Sequence, residues 1–346
     1  MQHMIWVTLS LLLAAPAAAK SLDGPPRNDL PQTYETARDW GELPAGLKWA
    51  AVTAVEPAPD GSVYVIHRCA DNSCIGRSEP PILKFDASGR LLKAFGQGMF
   101  LFPHGSTIDR DGNLWVTDLG AVFLERKPGE RPAGKIVKFS PQGEVLMTLG
   151  SEALGSATDF LDQPNDVVVG RNGDFFVTES HSPAGIHNRV LKFSKRGKFL
   201  KAFGSKGSGP GEFVEPHSIA IDSRGRLFIA DRENNRIAIF DQDGRFLDQW
   251  HQFGRPSGIY IDKFDRIYVA DSESGPDKGR GQNPGIRRGI RIGSARTGAV
   301  TDFIEDLESA EQRHSGAEGV AADAQGRVYG AVVGRRMLEV HRKKTP

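Results

Sequence analysis

Cysteine, charge of one sign and long apolar runs are all scarce in this chain, and each scarcity narrows what it can be. Lys and Arg number 44 against 43 Asp and Glu, a formal net charge of +1. No whole-chain field therefore draws it to nucleic acid or to an anionic membrane surface. The apolar run Ile5 to Ala15 is well short of the roughly 20 residues that cross a bilayer. It lies within "MQHMIWVTLSLLLAAPAAA", which ends on three alanines and reads as a secretory signal peptide over residues 1–19, cleaved before Lys20. The expectation is a periplasmic or secreted mature chain with no membrane span, acting as a monomer. Of the two cysteines, Cys69 and Cys74, the close spacing in an oxidising compartment favours a local disulfide over free thiols or half a metal site.

Turn chemistry, by contrast, is plentiful: 40 Gly and 21 Pro. Aligned on one position, the chain gives "TAVEPAPDGSVYVIHR" from Thr53, "HGSTIDRDGNLWVTD" from His104 and "NDVVVGRNGDFFVTES" from Asn165. "HSIAIDSRGRLFIADR" from His217, "SGIYIDKFDRIYVAD" from Ser257 and "EGVAADAQGRVYGA" from Glu318 complete six copies, 40 to 61 residues apart. Each copy is an apolar run, a turn with Asp or Gly and a second run rich in Val, Ile, Tyr and Phe, the pattern of two strands in a hairpin. Most copies are followed by another pair, such as "RVLKFSKRGKFLKAFG". A four-stranded unit of this length is a propeller blade. The expected fold is all-β, a six-bladed β-propeller over residues 45–343, preceded by a segment at 20–44. The last copy is one strand short, and "TYETARDWGEL", residues 33–43, is expected to supply that strand and close the ring, because an open edge is a template for aggregation. The basic, Gly-rich insertion at 272–289 reads as a solvated loop.

In a propeller the innermost strands begin at one mouth of the central channel. The six leading residues, Thr53, His104, Asn165, His217, Ser257 and Glu318, should converge there. Metal-ligating types occupy alternate blades, about 120° apart in a six-fold ring. His104, His217 and Glu318 then form a three-fold cluster with an open fourth position, an arrangement of catalytic zinc that also suits other divalent first-row metals. Arg68 and Arg232 each follow the second strand of a blade, where a guanidinium offers paired donors to a substrate carboxylate. For Arg232, with Glu233 beside it, a salt bridge holding neighbouring blades together is an equal alternative. The loop "TESHSPAGIHNR" adds His181 and His187, either of which is a candidate general base.

"FPHGSTIDRDGNLWVTD", "QPNDVVV", "GSGPGEFVEPHSIAID" and "ADRENNRI" resemble the NHL-repeat propeller of the peptidyl-α-hydroxyglycine α-amidating lyases and their bacterial relatives. The resemblance spans about residues 45 to 343. It implies a zinc held by three His, of which two fall on His104 and His217 and the third on Glu318, and two active-site arginines on Arg68 and Arg232. The catalytic Tyr of that family has no Tyr counterpart, and its position reads His181. The family's structural calcium uses an Asp where Gly319 stands, so the resemblance gives calcium little support. The implied reaction is cleavage of a carbinolamide C–N bond to an amide and glyoxylate, on a small-molecule or peptide substrate at the channel mouth. Two other readings stand beside it. One is a lactonase-type metal hydrolase, suggested by Glu318 in "AEGV" and Asn165 in "QPNDV". The other is a non-enzymatic propeller that binds a peptide, glycan or protein.

Overall fold

The computed structural model describes residues 23–38, 40–70, 72–121, 134–155, 161–182, 185–275, 283–309 and 315–345. The expected signal peptide and the middle of the 272–289 insertion lie outside them. Among the described residues no helix is long and apolar enough to cross a membrane.

Six four-stranded antiparallel sheets account for nearly all of the secondary structure. Their innermost strands are Val52–Pro57, Pro103–Ile108, Pro164–Val169, Pro216–Ile221, Gly258–Ile261 and Ala317–Ala322, for blades 1 to 6. The turn after each is built by its own sequence. In blade 4 the Asp222 carboxylate accepts hydrogen bonds from the amides of Arg224 (3.0 Å) and Arg226 (2.8 Å), and Gly225 takes the positive φ, +81°, that closes the turn. Asp109 and Asp323 do the same for blades 2 and 6. The alternating Val, Ile and Phe of the next strands bury on both faces, because each sheet is covered by a blade on either side. Trp115 of blade 2 against Phe175 and Phe193 of blade 3 is one such layer.

The ring closes as expected. Strand Tyr34–Ala37 pairs antiparallel with Met337–Lys343, setting Thr36 opposite His341, and so becomes the outer strand of blade 6. Thr36 Oγ1 lies 2.9 Å from His341 Nδ1. Trp40 then packs on Phe85 of blade 1 and Tyr329 of blade 6, sealing the seam.

One irregularity recurs where it matters. In blades 1, 2, 3, 4 and 6 the register between the two inner strands slips at the leading residue, between Val52 and Ala54, Pro103 and Ser106, Pro164 and Asp166, Pro216 and Ile219, and Ala317 and Gly319. A bulge of this kind re-aims a side chain out of the sheet, here towards the axis.

Candidate metal centre

His104, His217 and Glu318 meet at the axis, as their register predicts, and His181 joins them. One ligand atom from each of the four lies within 4.8 Å of the others. The imidazoles of His104 and His217 are 4.7 Å apart between ring centres, and His181 stands 4.7 Å from the first and 5.2 Å from the second. Glu318 Oε1 is 3.5 Å from His217 Nε2.

The two strand histidines are oriented from behind. His104 Nδ1 is 3.0 Å from the carbonyl oxygen of Asn165, and His217 Nδ1 is 2.8 Å from that of Ser257. A carbonyl can only accept, so each Nδ1 carries the hydrogen and each Nε2 presents a lone pair to the axis. Both Nε2 atoms are buried with no hydrogen-bond partner among the described residues. Burial, and after it the charges of Arg68 for His104 and Arg232 for His217, hold both imidazoles well below the usual histidine range. They are neutral at physiological pH, the form that binds metal. Two convergent imidazole lone pairs, a third imidazole and a carboxylate therefore fit a divalent first-row metal.

His181 comes from a loop. Its backbone amide donates to Gln163 Oε1 at 2.9 Å, and the preceding Ser180 adopts φ +100°. Neither feature belongs to the strand repeat. His187, six residues on, faces Glu179 at 3.7 Å and is not part of the cluster.

The two arginines sit beside this group in different states. Arg68 is buried, with Nη1 donating to Asn72 Oδ1 at 2.7 Å, Nε to the Pro103 carbonyl at 3.3 Å and its guanidinium 3.7 Å above the Phe102 ring. Its Nη2 is buried with no hydrogen-bond partner among the described residues. Burial pushes the group down to about 10, Glu318 opposing and Arg232 adding to the shift. The expected disulfide is present between Cys69 and Cys74 and closes the loop that carries Asn72.

Arg232 is committed to carboxylates. Its Nη2 is 2.6 Å from Glu215 Oε2, and its Nη1 is 3.6 Å from Glu318 and 4.0 Å from Glu273. Burial acts to lower its pKa, but Glu273, Glu215 and Glu318 outweigh it and hold the guanidinium above the ordinary arginine range. The alternative of a salt bridge between neighbouring blades is thus present, through these carboxylates and not through Glu233. Glu233 turns instead to Arg255, because the short 3-10 turn Arg232–Asn234 points successive side chains apart. Glu215 was available as a partner in the sequence, directly before the Pro-His of blade 4, but only the fold shows that it faces the loop after the next strand.

The remaining leading residues support the site from behind. Asn165 and Ser257 lend carbonyls, and the Asn165 side-chain amide ties the Ser180 and Pro216 carbonyls together. A Cβ on Gly319 would collide with the Thr53 carbonyl oxygen, so the contact between blades 6 and 1 requires glycine there. On the channel side, a cavity of about 760 Å³ leads from His104, His217 and Glu318 to Phe264 and Gln325 at the other mouth.

Comparison with known proteins gives the same fold. A protein-family model described as a 6-bladed beta-propeller matches residues 171–249. The chain is 36% identical over 274 residues to peptidyl-glycine alpha-amidating monooxygenase B of Xenopus laevis, an alignment covering 69% of this chain and 29% of that protein. It is 32% identical over 208 residues to peptidyl-alpha-hydroxyglycine alpha-amidating lyase 2 of Drosophila melanogaster, covering 54% of this chain and 46% of that one. The chain thus spans less than half the length of either relative. Among solved structures, a gluconolactonase of Xanthomonas campestris superposes with a TM-score of 0.59 at 14% identity, over 90% of this chain and 89% of that one, a likeness of fold alone. The chain is a six-bladed NHL-type β-propeller that resembles the peptidyl-α-hydroxyglycine α-amidating lyases.

Proposed function

We propose that the protein is a metal-dependent carbon–nitrogen lyase, acting outside the cytoplasm as a monomer on a carbinolamide that bears a carboxylate. The observation that carries this reading is the pairing, in one buried place, of two imidazole lone pairs that face the axis with a guanidinium whose Nη2 has no hydrogen-bond partner among the described residues. His104, His217 and Glu318 would hold the metal, and zinc suits them. A bound divalent metal supplies Lewis acidity towards a hydroxyl oxygen.

Arg68 gives the substrate its orientation. Its Nη2 donates to the carboxylate while Asn72 and the Phe102 face hold the rest of the guanidinium still, so little freedom is lost on binding. Arg232 helps to hold Glu318 in place. In the reaction the carbinol hydroxyl loses its proton, its oxygen forms the aldehyde C=O, the C–N bond breaks and the nitrogen gains a proton. The products are an amide and glyoxylate, with no water or oxidant consumed. The disulfide supports an oxidising compartment.

Elemental analysis of residues 20–346, beside incubation with an N-acyl-α-hydroxyglycine, tests the proposal. About one metal per chain and glyoxylate release are expected, both lost in a His104→Ala/His217→Ala variant that keeps its β-rich circular dichroism. A metal-free protein that stays metal-free after incubation with zinc would sink the lyase reading and favour a propeller that only binds. Hydrolysis of a sugar lactone without glyoxylate release would move the assignment to the hydrolase class.

A further inference from the structure

We infer that His181 is a metal ligand, so that the site holds its metal through four protein groups, three imidazoles and one carboxylate. This rests on the metal-dependent reading above and changes what that metal is able to do. Four features of the geometry point to it.

The His181 ring stands at nearly equal distances from His104 and His217, 4.7 and 5.2 Å between centres. Its ligand atom falls in the same 4.8 Å group as theirs and that of Glu318. Ligands about 2.0–2.1 Å from a tetrahedral metal are about 3.4 Å from one another, so the group needs to contract by little more than an ångström to enclose an ion. The loop is tied down on both flanks, by the His181 amide on Gln163 Oε1 at 2.9 Å and by the Ile186 amide on Asp162 Oδ2 at 2.5 Å. Its ring also meets Phe102 edge to face, 6.2 Å between centres. An imidazole positioned from several sides beside two others is a preorganised ligand.

The consequence concerns coordination number. With three protein ligands, a tetrahedral metal such as zinc keeps an open position; with four it is closed, as in structural sites. A metal with an octahedral preference keeps two positions open with the same four ligands. Three of the ligands come from strands and the fourth, His181, from a loop.

Cobalt(II) titration of the apo protein reads this without turnover. Wild type should show the intense visible bands of a four-coordinate centre, unchanged by azide. His181→Ala should bind cobalt at least about 10-fold more weakly, the lower end of what even an outer-shell partner costs, and its spectrum should respond to azide. His181→Asn serves as a second variant if the first fails to fold. Pulsed EPR of copper(II)-loaded wild type, which needs no variant, should count three coordinated imidazoles. A count of two, or a His181→Ala protein with wild-type affinity and spectrum, would overturn the inference and leave the metal-dependent reading intact. Wild type that takes up neither cobalt nor copper would overturn both.

Discussion

The Arg68 side and the Arg232 side of the axial site look alike in sequence and are opposites in structure. Each arginine follows the second strand of its blade and each is buried. Arg232 lies among Glu215, Glu273 and Glu318, and its charge is spent inside the protein. Arg68 has no carboxylate among the described residues within ion-pair range, only a carbonyl, an amide oxygen and a ring face. Burying a charge without an opposite one is costly. On the proposed reading, the carboxylate of the substrate is the partner that completes Arg68.

The largest effect expected from this contrast is on stability. Arg232→Met leaves three carboxylates facing one another and should cost about 3–5 kcal/mol, the usual loss on breaking a buried ion pair from one side, as read by urea unfolding. Arg68→Met should cost far less by the same assay. If the order came out reversed, the contrast between the two sides would be wrong.

Next comes binding. A hydrogen bond to a charged group contributes about 1.5–3 kcal/mol. Arg68→Met should therefore lower kcat/KM for a carboxylate-bearing carbinolamide by about 10- to 100-fold, chiefly through KM. Metal content should not change, and the corresponding ester should show no such loss. Equal losses on acid and ester would remove Arg68 from carboxylate recognition.

The smallest effect belongs to the clamp behind Arg68. Asn72→Ala, or replacement of both Cys69 and Cys74 by Ser, should raise KM about two- to ten-fold, the size of one ordinary hydrogen bond of ~0.5–1.5 kcal/mol. Metal affinity should stay as it was. A change in metal binding instead would mean that the loop supports the metal ligands rather than the arginine.

The repeat made the fold legible because every blade writes the same hairpin, and alternating side chains declare which positions turn inward. That regularity extended to the strand from Tyr34, which could be assigned because blade 6 lacked a partner, and to His104, His217 and Glu318, which share one register. What the repeat does not encode was less legible: the sequence offered His181 as a loop base at the position of the family's catalytic Tyr, but not as a neighbour of the strand ligands. His181 reaches the axis through a loop shaped by Ser180 and Gln163, both at positive φ. Asn165 and Ser257 contribute carbonyls, which every residue possesses, so their side chains gave no sign of the role. The three partners of Arg232 come from three different blades, and no local pattern links them.

The closing pair has a kinetic consequence. Thr36 and His341 are 305 residues apart, so the seam is the most non-local contact of a fold otherwise built from neighbouring hairpins. Loop-closure entropy grows only slowly with length, so the distance costs little at equilibrium; non-local pairing is nonetheless slow to find. Until the ends meet, blade 6 carries a bare edge that another chain could fill. Refolding yield should therefore fall with protein concentration much more steeply than the stability of the finished ring would suggest, with closure, not blade formation, as the step at which chains are lost.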